Sequence, residues 1–356
     1  MENLKIPLFK IYNDYEDVRA ITDVVKSGMN WAIGDEVAEF EQAIADYIGT
    51  KYAVVFNSGT SALHAILLAY GIGEGDEVIV PSFTFVATAN AVVFTGAKPV
   101  FADIEMKTFG LDTTDVEYKI TDKTKAIIAV HYSGCPCQIE RLREIADDHN
   151  LILIEDAAEA MGAKIGIRKV GTYGHAAMFS FCQNKIITTG DGGAITTDDK
   201  EVYERLKLLV SHGDNEHLGY NWRMPNILAA LGLSQLKKID KLIGLRRAVA
   251  HIYMEDGMGI KPPDGYFSVY QMFTMRLNNR DEVRELLEKN GVSTKVYFDP
   301  VHLRKYYQQL GSKSGDLPKT EAVSKQVLTI PAYPTLTKEE MDYIKAICSS
   351  RIYNKK

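Results

Sequence analysis

Short runs rich in apolar and β-branched residues recur along the first two hundred positions, at 53–56, 78–80, 99–102, 126–130, 151–155 and 194–197. Ala126-Ile-Ile-Ala-Val130 and Leu151-Ile-Leu-Ile154 are apolar at every position rather than at every second one. That pattern suits strands covered on both faces, as in a parallel sheet with helices above and below. The stretches between them, at 61–69, 86–94 and 139–149, place apolar residues at helical spacing. Strand and helix alternate, which predicts an α/β chain with a mostly parallel, mixed sheet between helices.

The rhythm changes further on. A long helical pattern runs from 226 to about 250, and Gly and Pro then cluster between 257 and 265. We place a domain boundary near 245, giving a large domain at 1–245 with an N-terminal arm and a smaller C-terminal α+β domain at 246–356. Strand signals in the second part lie at 272–277 and 293–298, and charged helices at 280–289 and 338–349.

Composition narrows the function classes. With 356 residues, the chain has room for two to three domains, and 46% apolar with 25% charged residues excludes a disordered or fibrous protein. The net charge, 41 minus 47, is −6 without a basic stripe, so no nucleic-acid partner is expected. The N-terminus has no apolar run of signal-peptide length, and the weakly polar stretch 78–101 is broken by Pro81, Asn90, Lys98 and Pro99. No membrane partner is expected, and the location expected is cytoplasmic. Cys135, Cys137, Cys182 and Cys348 are too sparse for a disulfide framework, and Cys-Pro-Cys is not the paired spacing of a zinc site. We expect thiols and no metal.

Three familiar nucleotide and hydrolase signatures are missing. Gly71, Gly73 and Gly75 do not make GxGxxG, and neither GxxxxGK[ST] nor GxSxG occurs. What remains is Asn57-Ser58-Gly59-Thr60-Ser61, placed between an apolar run and a helical one. Free N–H groups, the helix dipole and small hydroxyls there would bind a phosphate; a plain N-cap is the competing reading. Asp156 ends the run Leu151-Ile-Leu-Ile-Glu155, where α/β sheets present ligand-facing residues, although Asp is also a common helix cap there. Lys185 follows apolar Phe179-Ser-Phe-Cys182 and precedes the turn Thr189-Gly-Asp-Gly-Gly193. Most lysines are solvated, but one among apolar neighbours can act as a nucleophilic amine. Phosphate cradle, strand-end Asp and later Lys are together what pyridoxal 5'-phosphate requires.

These residues sit inside longer signatures: Asn-Ser-Gly-Thr-Ser-Ala-Leu, Pro-Ser-Phe-Thr-Phe-Val-Ala-Thr-Ala-Asn-Ala, Glu-Asp-Ala-Ala, Phe-Ser-Phe-x-x-x-Lys, Gly-Asp-Gly-Gly and Gly-Tyr-Asn-Trp-Arg-Met. With them the chain resembles the DegT/DnrJ/StrS group of sugar-nucleotide aminotransferases, from about Ile6 to the C-terminal helix. The resemblance implies the fold type I architecture of pyridoxal-phosphate-dependent transferases and a set of roles. Lys185 and Asp156 would be catalytic, as Schiff-base lysine and partner of the pyridine nitrogen. Gly59, Thr60, Ser61 and Ser180 would hold the phosphate and Phe85 would stack on the ring. Asn221 would complete the phosphate pocket of a neighbouring subunit in a homodimer with shared sites; by itself it reads only as a polar residue before a helix.

Two departures bear on specificity. Glu159 stands where many relatives have Gln, close to the cofactor's phenolic oxygen, and resembles perosamine-synthase-like members that aminate C4 of a 4-keto-6-deoxy sugar. His131-Tyr-Ser-Gly-Cys-Pro-Cys137 replaces a commoner text; His131 reads as a structural histidine or a cofactor-side one. His302, in Asp299-Pro-Val-His-Leu303, is a candidate substrate contact. The activity implied is transfer of an amino group from an amino acid, L-glutamate by resemblance, to a keto sugar nucleotide, of use in making deoxyamino sugars such as those of lipopolysaccharide O-antigen. Amination at C3, a sugar dehydratase and a non-enzymatic regulator are the alternatives. The nucleotide, whether GDP, UDP or dTDP, stays open.

Overall fold

The computed structural model describes residues 5–352. Residues 1–4, which belong to the stretch read above as carrying no export signal, lie outside them, as do 353–356. The first strands are β1 (Tyr52–Phe56), β2 (Glu77–Pro81), β3 (Lys98–Ala102), β4 (Thr124–Val130) and β5 (Ile152–Asp156). Next come the two-residue β6 (Lys164–Ile165) and β7 (Arg168–Lys169), then β8 (Ala176–Ser180) and β9 (Gly193–Thr197). The last are β10 (Tyr266–Phe267), β11 (Phe273–Arg276) and β12 (Val327–Ile330).

Seven of these form one sheet in the order β1-β9-β8-β5-β4-β2-β3. The four ladders from β8 through β5 and β4 to β2 and β3 are parallel, and β9 runs antiparallel to both β8 and β1. This is the mixed, mostly parallel sheet expected from the apolar runs. Strand β8 is an addition to them. Ala176-Ala-Met-Phe-Ser180 has no β-branched residue, and it becomes a strand because two neighbours supply its ladders. Val54, Val80, Ile128 and Ile154 pack on one face with Leu63 and Ile66 of the helix Gly59–Ala69. Val55, Ala177 and Phe179 pack on the other with Phe40 and Ile44.

Register brings the strand ends together. Gly193 pairs with Phe56 on one side and Ser180 on the other, so the segment after β1 and the end of β8 share one row. Asp156 pairs with Met178 and Val130 pairs with Asp156, which places β4 and β5 on the same rim of the sheet.

The helical pattern at 226–250 is two helices, Asn226–Leu236 and Ile239–Glu255. Lys238 lies at the corner between them, where its ammonium reaches Asp14 at 2.6 Å and Asp17 at 2.7 Å. The second helix runs through position 245: Ile239, Leu242 and Ile243 join the sheet core, whereas Val249, Ala250 and Tyr253 join a separate core with Phe273, Leu328, Ile344 and Ile6. The strand expected at 293–298 is not formed. Lys295 makes a single bridge to Thr329 of β12, and the chain then turns away from the pair β11–β12 to approach the rim of the large sheet. There the carbonyl of Tyr297 accepts a hydrogen bond from the Tyr132 hydroxyl at 2.6 Å. Among the described residues no helix is long and apolar enough to cross a membrane.

Candidate active site

A cavity of about 500 Å³ opens at the carboxyl ends of β5 and β8. Gly59, Thr60, Phe85, Asp156, Glu159, Ser180 and Lys185 all line it. Seven of the ten residues singled out from the sequence are thus brought together from segments over a hundred positions apart.

The phosphate-side wall is the start of the helix Gly59–Ala69. Ser58 caps it, its hydroxyl accepting from the Ser61 N–H at 3.1 Å and lying 2.9 Å from Ser61 Oγ. Capping therefore uses Ser61, which does not line the cavity, and leaves the Gly59 and Thr60 N–H groups without an intrahelical acceptor. A Cβ at Gly59 would meet Met178 Sδ at 3.1 Å and Ser180 Cβ at 3.2 Å, so only glycine leaves the cradle open. Unpaired amides, the Thr60 and Ser180 hydroxyls and the positive end of a helix suit an anion.

Asp156 forms the opposite wall. Its Oδ2 accepts from Thr88 Oγ1 at 2.8 Å and its Oδ1 from the Ala158 N–H at 3.2 Å. Thr84 Oγ1 lies 2.9 Å from Thr88 Oγ1, continuing the chain of hydroxyls. Burial pushes the Asp156 carboxyl above its ordinary value despite Thr88, Ala158 and the nearby Lys185 charge. Glu159 behaves alike: burial raises it, Lys185 opposes, and the Ser133 N–H donates to Oε2 at 2.7 Å. Lys185 Nζ stands 3.8 Å from Glu159 Oε1 with its side chain 15% exposed. A partly covered amine, a buried strand-end carboxylate without a cationic partner in hydrogen-bond contact among the described residues and an open cradle for an anion fit the aldehyde, ring nitrogen and phosphate of pyridoxal phosphate, and Glu159 stands beside the amine.

Phe85, by composition a core residue, is 60% exposed at the cavity mouth, 6.4 Å from the ring of Phe298. Asn221 does not line its own chain's cavity. Its carbonyl accepts from Asn57 Nδ2 at 3.4 Å, and the residue is exposed. His302 is fully buried elsewhere: Nδ1 and the backbone N–H meet Ser82 Oγ at 2.6 and 3.0 Å, and Nε2 meets Glu321 Oε1 at 3.2 Å. Both ring nitrogens are engaged, Nδ1 by Ser82 near the large sheet and Nε2 by Glu321 of its own C-terminal segment, which leaves neither free for a substrate. His131 is likewise structural. Its Nδ1 accepts from the Cys137 N–H at 3.1 Å, so Nε2 donates to Glu155 Oε2 at 3.0 Å.

Sequence reasoning missed Thr88, Phe9, Asn184, Lys295, Tyr297 and Phe298, which also border or support the cavity. Thr88 had a signal, since Thr84 and Thr88 are one helical turn apart. The four cysteines are free, and no cluster of metal-ligating side chains occurs among the described residues.

Comparison with known proteins adds names to this geometry. The profile of the DegT/DnrJ/EryC1/StrS aminotransferase family matches residues 12–348. GDP-perosamine synthase of Caulobacter vibrioides is 40% identical over 334 residues, covering 88% of this chain and 90% of the relative. The dTDP-3-amino-3,4,6-trideoxy-alpha-D-glucose transaminase of Streptomyces venezuelae is 37% identical over 358 residues, 95% of this chain and 94% of the other. Spr1654 of Streptococcus pneumoniae, solved in a PLP form, superposes with a TM-score of 0.93 at 27% identity, covering 97% of this chain and 98% of that one.

Proposed function

Because this chain belongs to the DegT/DnrJ/EryC1/StrS aminotransferase family, we propose that it moves an amino group from L-glutamate to C4 of a 4-keto-6-deoxy sugar nucleotide. It is a pyridoxal-phosphate-dependent sugar aminotransferase. The observation that carries the reaction class is the meeting of Lys185, Asp156 and Glu159 with the open start of the helix Gly59–Ala69 in one cavity. Amination at C4 rests on Glu159, together with likeness to a GDP-perosamine synthase; the relative named for a 3-amino sugar supports C3 as the second reading. A dehydratase is disfavoured by Lys185, since such relatives carry histidine in its place.

Bound in the cavity, pyridoxal phosphate supplies an electrophilic carbon and an electron-withdrawing ring. Gly59 and Thr60 hold its phosphate with backbone N–H groups, and Thr60 and Ser180 add hydroxyls. Asp156 keeps the ring nitrogen protonated, and a cation beside it removes the cost that burial imposes on the carboxylate. Lys185 Nζ would anchor the cofactor through its aldehyde carbon and, once released, would serve as the base that carries the proton from Cα of the donor. Glu159 Oε1, 3.8 Å from that amine, orients it between the two positions. Phe85, exposed at the mouth of the cavity, would cover a face of the cofactor ring.

The active unit we propose is a symmetric homodimer in which the exposed Asn221 completes the partner's phosphate pocket. Mixing a Lys185→Ala chain with an Asn221→Ala chain should restore activity, because one site in each hybrid then carries neither defect; hybrids proven by mass but inactive would refute the sharing. The reaction itself is tested by incubating the enzyme and glutamate with a panel of 3-keto and 4-keto sugar nucleotides and identifying the products. Amination at C4 is expected, and a product aminated only at C3 would overturn the positional assignment.

A further inference from the structure

Two lysines line the catalytic cavity, and only Lys185 has a place in the chemistry above. The other is Lys295, at the exposed end. From the floor outward the lining passes from buried Asp156 and Glu159, through partly covered Lys185, to exposed Phe85 and Lys295. The Lys295 backbone is fixed, its N–H donating to the Thr329 carbonyl at 3.1 Å and its carbonyl accepting from the Thr329 N–H at 2.8 Å. Its ammonium stands 5.8 Å from the centre of the Tyr297 ring and, among the described residues, forms no ion pair.

Charge around the cavity makes this lysine useful. Asp156, Glu159 and Asp191 line the same space, so three carboxylates face two ammonium groups, one of which is taken by the cofactor. A doubly charged diphosphate entering such a cavity meets net repulsion unless a free cation receives it. Size fixes where the diphosphate lies. A cavity of about 500 Å³ has room for a cofactor and a sugar, whereas the nucleoside must project beyond the mouth. The diphosphate joins those two parts and therefore crosses the rim, where Lys295, Tyr297 and Phe298 stand.

We propose that Lys295 is the cation that receives the diphosphate of the incoming sugar nucleotide at the mouth of the cavity. This rests on the sugar-nucleotide reading above and adds a specificity residue to it. The other anion that visits the site is the side-chain carboxylate of the amino-acid donor, and the test separates the two sources.

Binding of GDP, UDP and dTDP to the cofactor-loaded enzyme is measured by calorimetry at low and high salt, and the glutamate dependence of the cofactor's absorbance change is recorded in parallel. Lys295→Gln should weaken the best nucleoside diphosphate about tenfold at low salt, and Lys295→Arg should restore most of the loss. The difference should shrink at high salt, because an exposed charge is screened. Half-saturation by glutamate should move less than about twofold on the same basis. Undiminished diphosphate binding in Lys295→Gln overturns the assignment, and so does an equal loss for glutamate, which would give the lysine to the donor carboxylate. If the wild type binds none of the three diphosphates, the sugar-nucleotide reading itself falls.

Discussion

Glu155 and Asp156 are adjacent at the end of β5 and both buried, yet their side chains point to opposite faces of the sheet and lead different lives. Glu155 is saturated. Oε2 accepts from the Gly171 N–H at 2.8 Å and meets His131 Nε2 at 3.0 Å, and Oε1 accepts from the Tyr173 and Gly174 N–H groups, each at 2.7 Å. Burial opposes its charge, but His131 and the amides outweigh burial and hold the carboxyl below its ordinary value. Asp156 receives one hydroxyl and one amide, and there burial wins. The difference teaches that a buried acid becomes a functional candidate when its donors fall short. Asp156 and Glu159 are short of partners, and the cavity lies where the missing cations would enter.

The largest effect should come from the amine whose charge acts on both Asp156 and Glu159. Lys185→Ala should keep the thermal midpoint of the cofactor-free protein within a few degrees and lower turnover by several orders of magnitude, since the covalent anchor and the proton carrier go together. Near-normal transamination in that variant would remove Lys185 from the mechanism.

Exchanging the two neighbours at the end of β5 breaks the comparison directly. Asp156→Ala should slow the proton-transfer step by orders of magnitude while leaving the fold as stable as before, because a poorly paired buried acid is lost. Glu155→Ala should act the other way, costing roughly 3–5 kcal/mol of stability by stranding His131 and three amides. Denaturant melts and single-turnover rates on both variants decide it, and similar stability losses would erase the distinction.

How much of this contrast was legible in the chain depends on where each partner comes from. Asp156 could be read because four apolar residues in a row fix a buried strand and its end, and Lys185 because its neighbours are apolar and a glycine turn follows. The saturation of Glu155 could not, since its amides arrive from residues 171–174 through a loop that only the folded sheet brings back. The rim was less legible still. Residues 293–298 carry strand-like text, yet one bridge to Thr329 and a hydrogen bond from Tyr132 turn them toward the cavity. Phe85 and His302 are opposites: the aromatic, a residue type that composition alone would bury, is exposed at the cavity mouth, and the histidine offered as a candidate substrate contact is a buried brace. Residue type predicts burial well on average and poorly at a site, where packing across domains decides.

The same neighbours should pull stability in opposite directions with pH. A carboxyl raised in the folded state binds its proton more tightly there, so its contribution weakens as pH rises from the unfolded value through the folded one. Asp156 and Glu159 are of that kind. Glu155, depressed on folding, contributes above its unfolded value and loses that contribution as pH falls through the folded one. Cofactor-free protein carrying Asp156→Asn should therefore lose less stability than wild type between weakly acidic and neutral pH, and identical profiles would contradict the assignment.

The smallest effect expected is the most specific, because it concerns the single side-chain hydrogen-bond donor that Asp156 has among the described residues. Thr88 Oγ1 donates to Oδ2 at 2.8 Å and is itself met by Thr84 Oγ1 at 2.9 Å, so the hydroxyl steadies one oxygen and fixes the carboxylate plane. Thr88→Val keeps the shape and removes the donor. The carboxyl should move further up, the ring nitrogen should hold its proton less firmly, and turnover should fall about three- to tenfold, the range of one ordinary intramolecular hydrogen bond. Thr88→Ser keeps a hydroxyl and should recover most of it. A purely structural role would lower stability without moving the pH dependence of the loaded enzyme's absorbance, whereas support of Asp156 should shift that titration in Thr88→Val and return it in Thr88→Ser. An unmoved titration, with activity unchanged, would leave burial and the Ala158 amide as sufficient to set Asp156 apart from its neighbour.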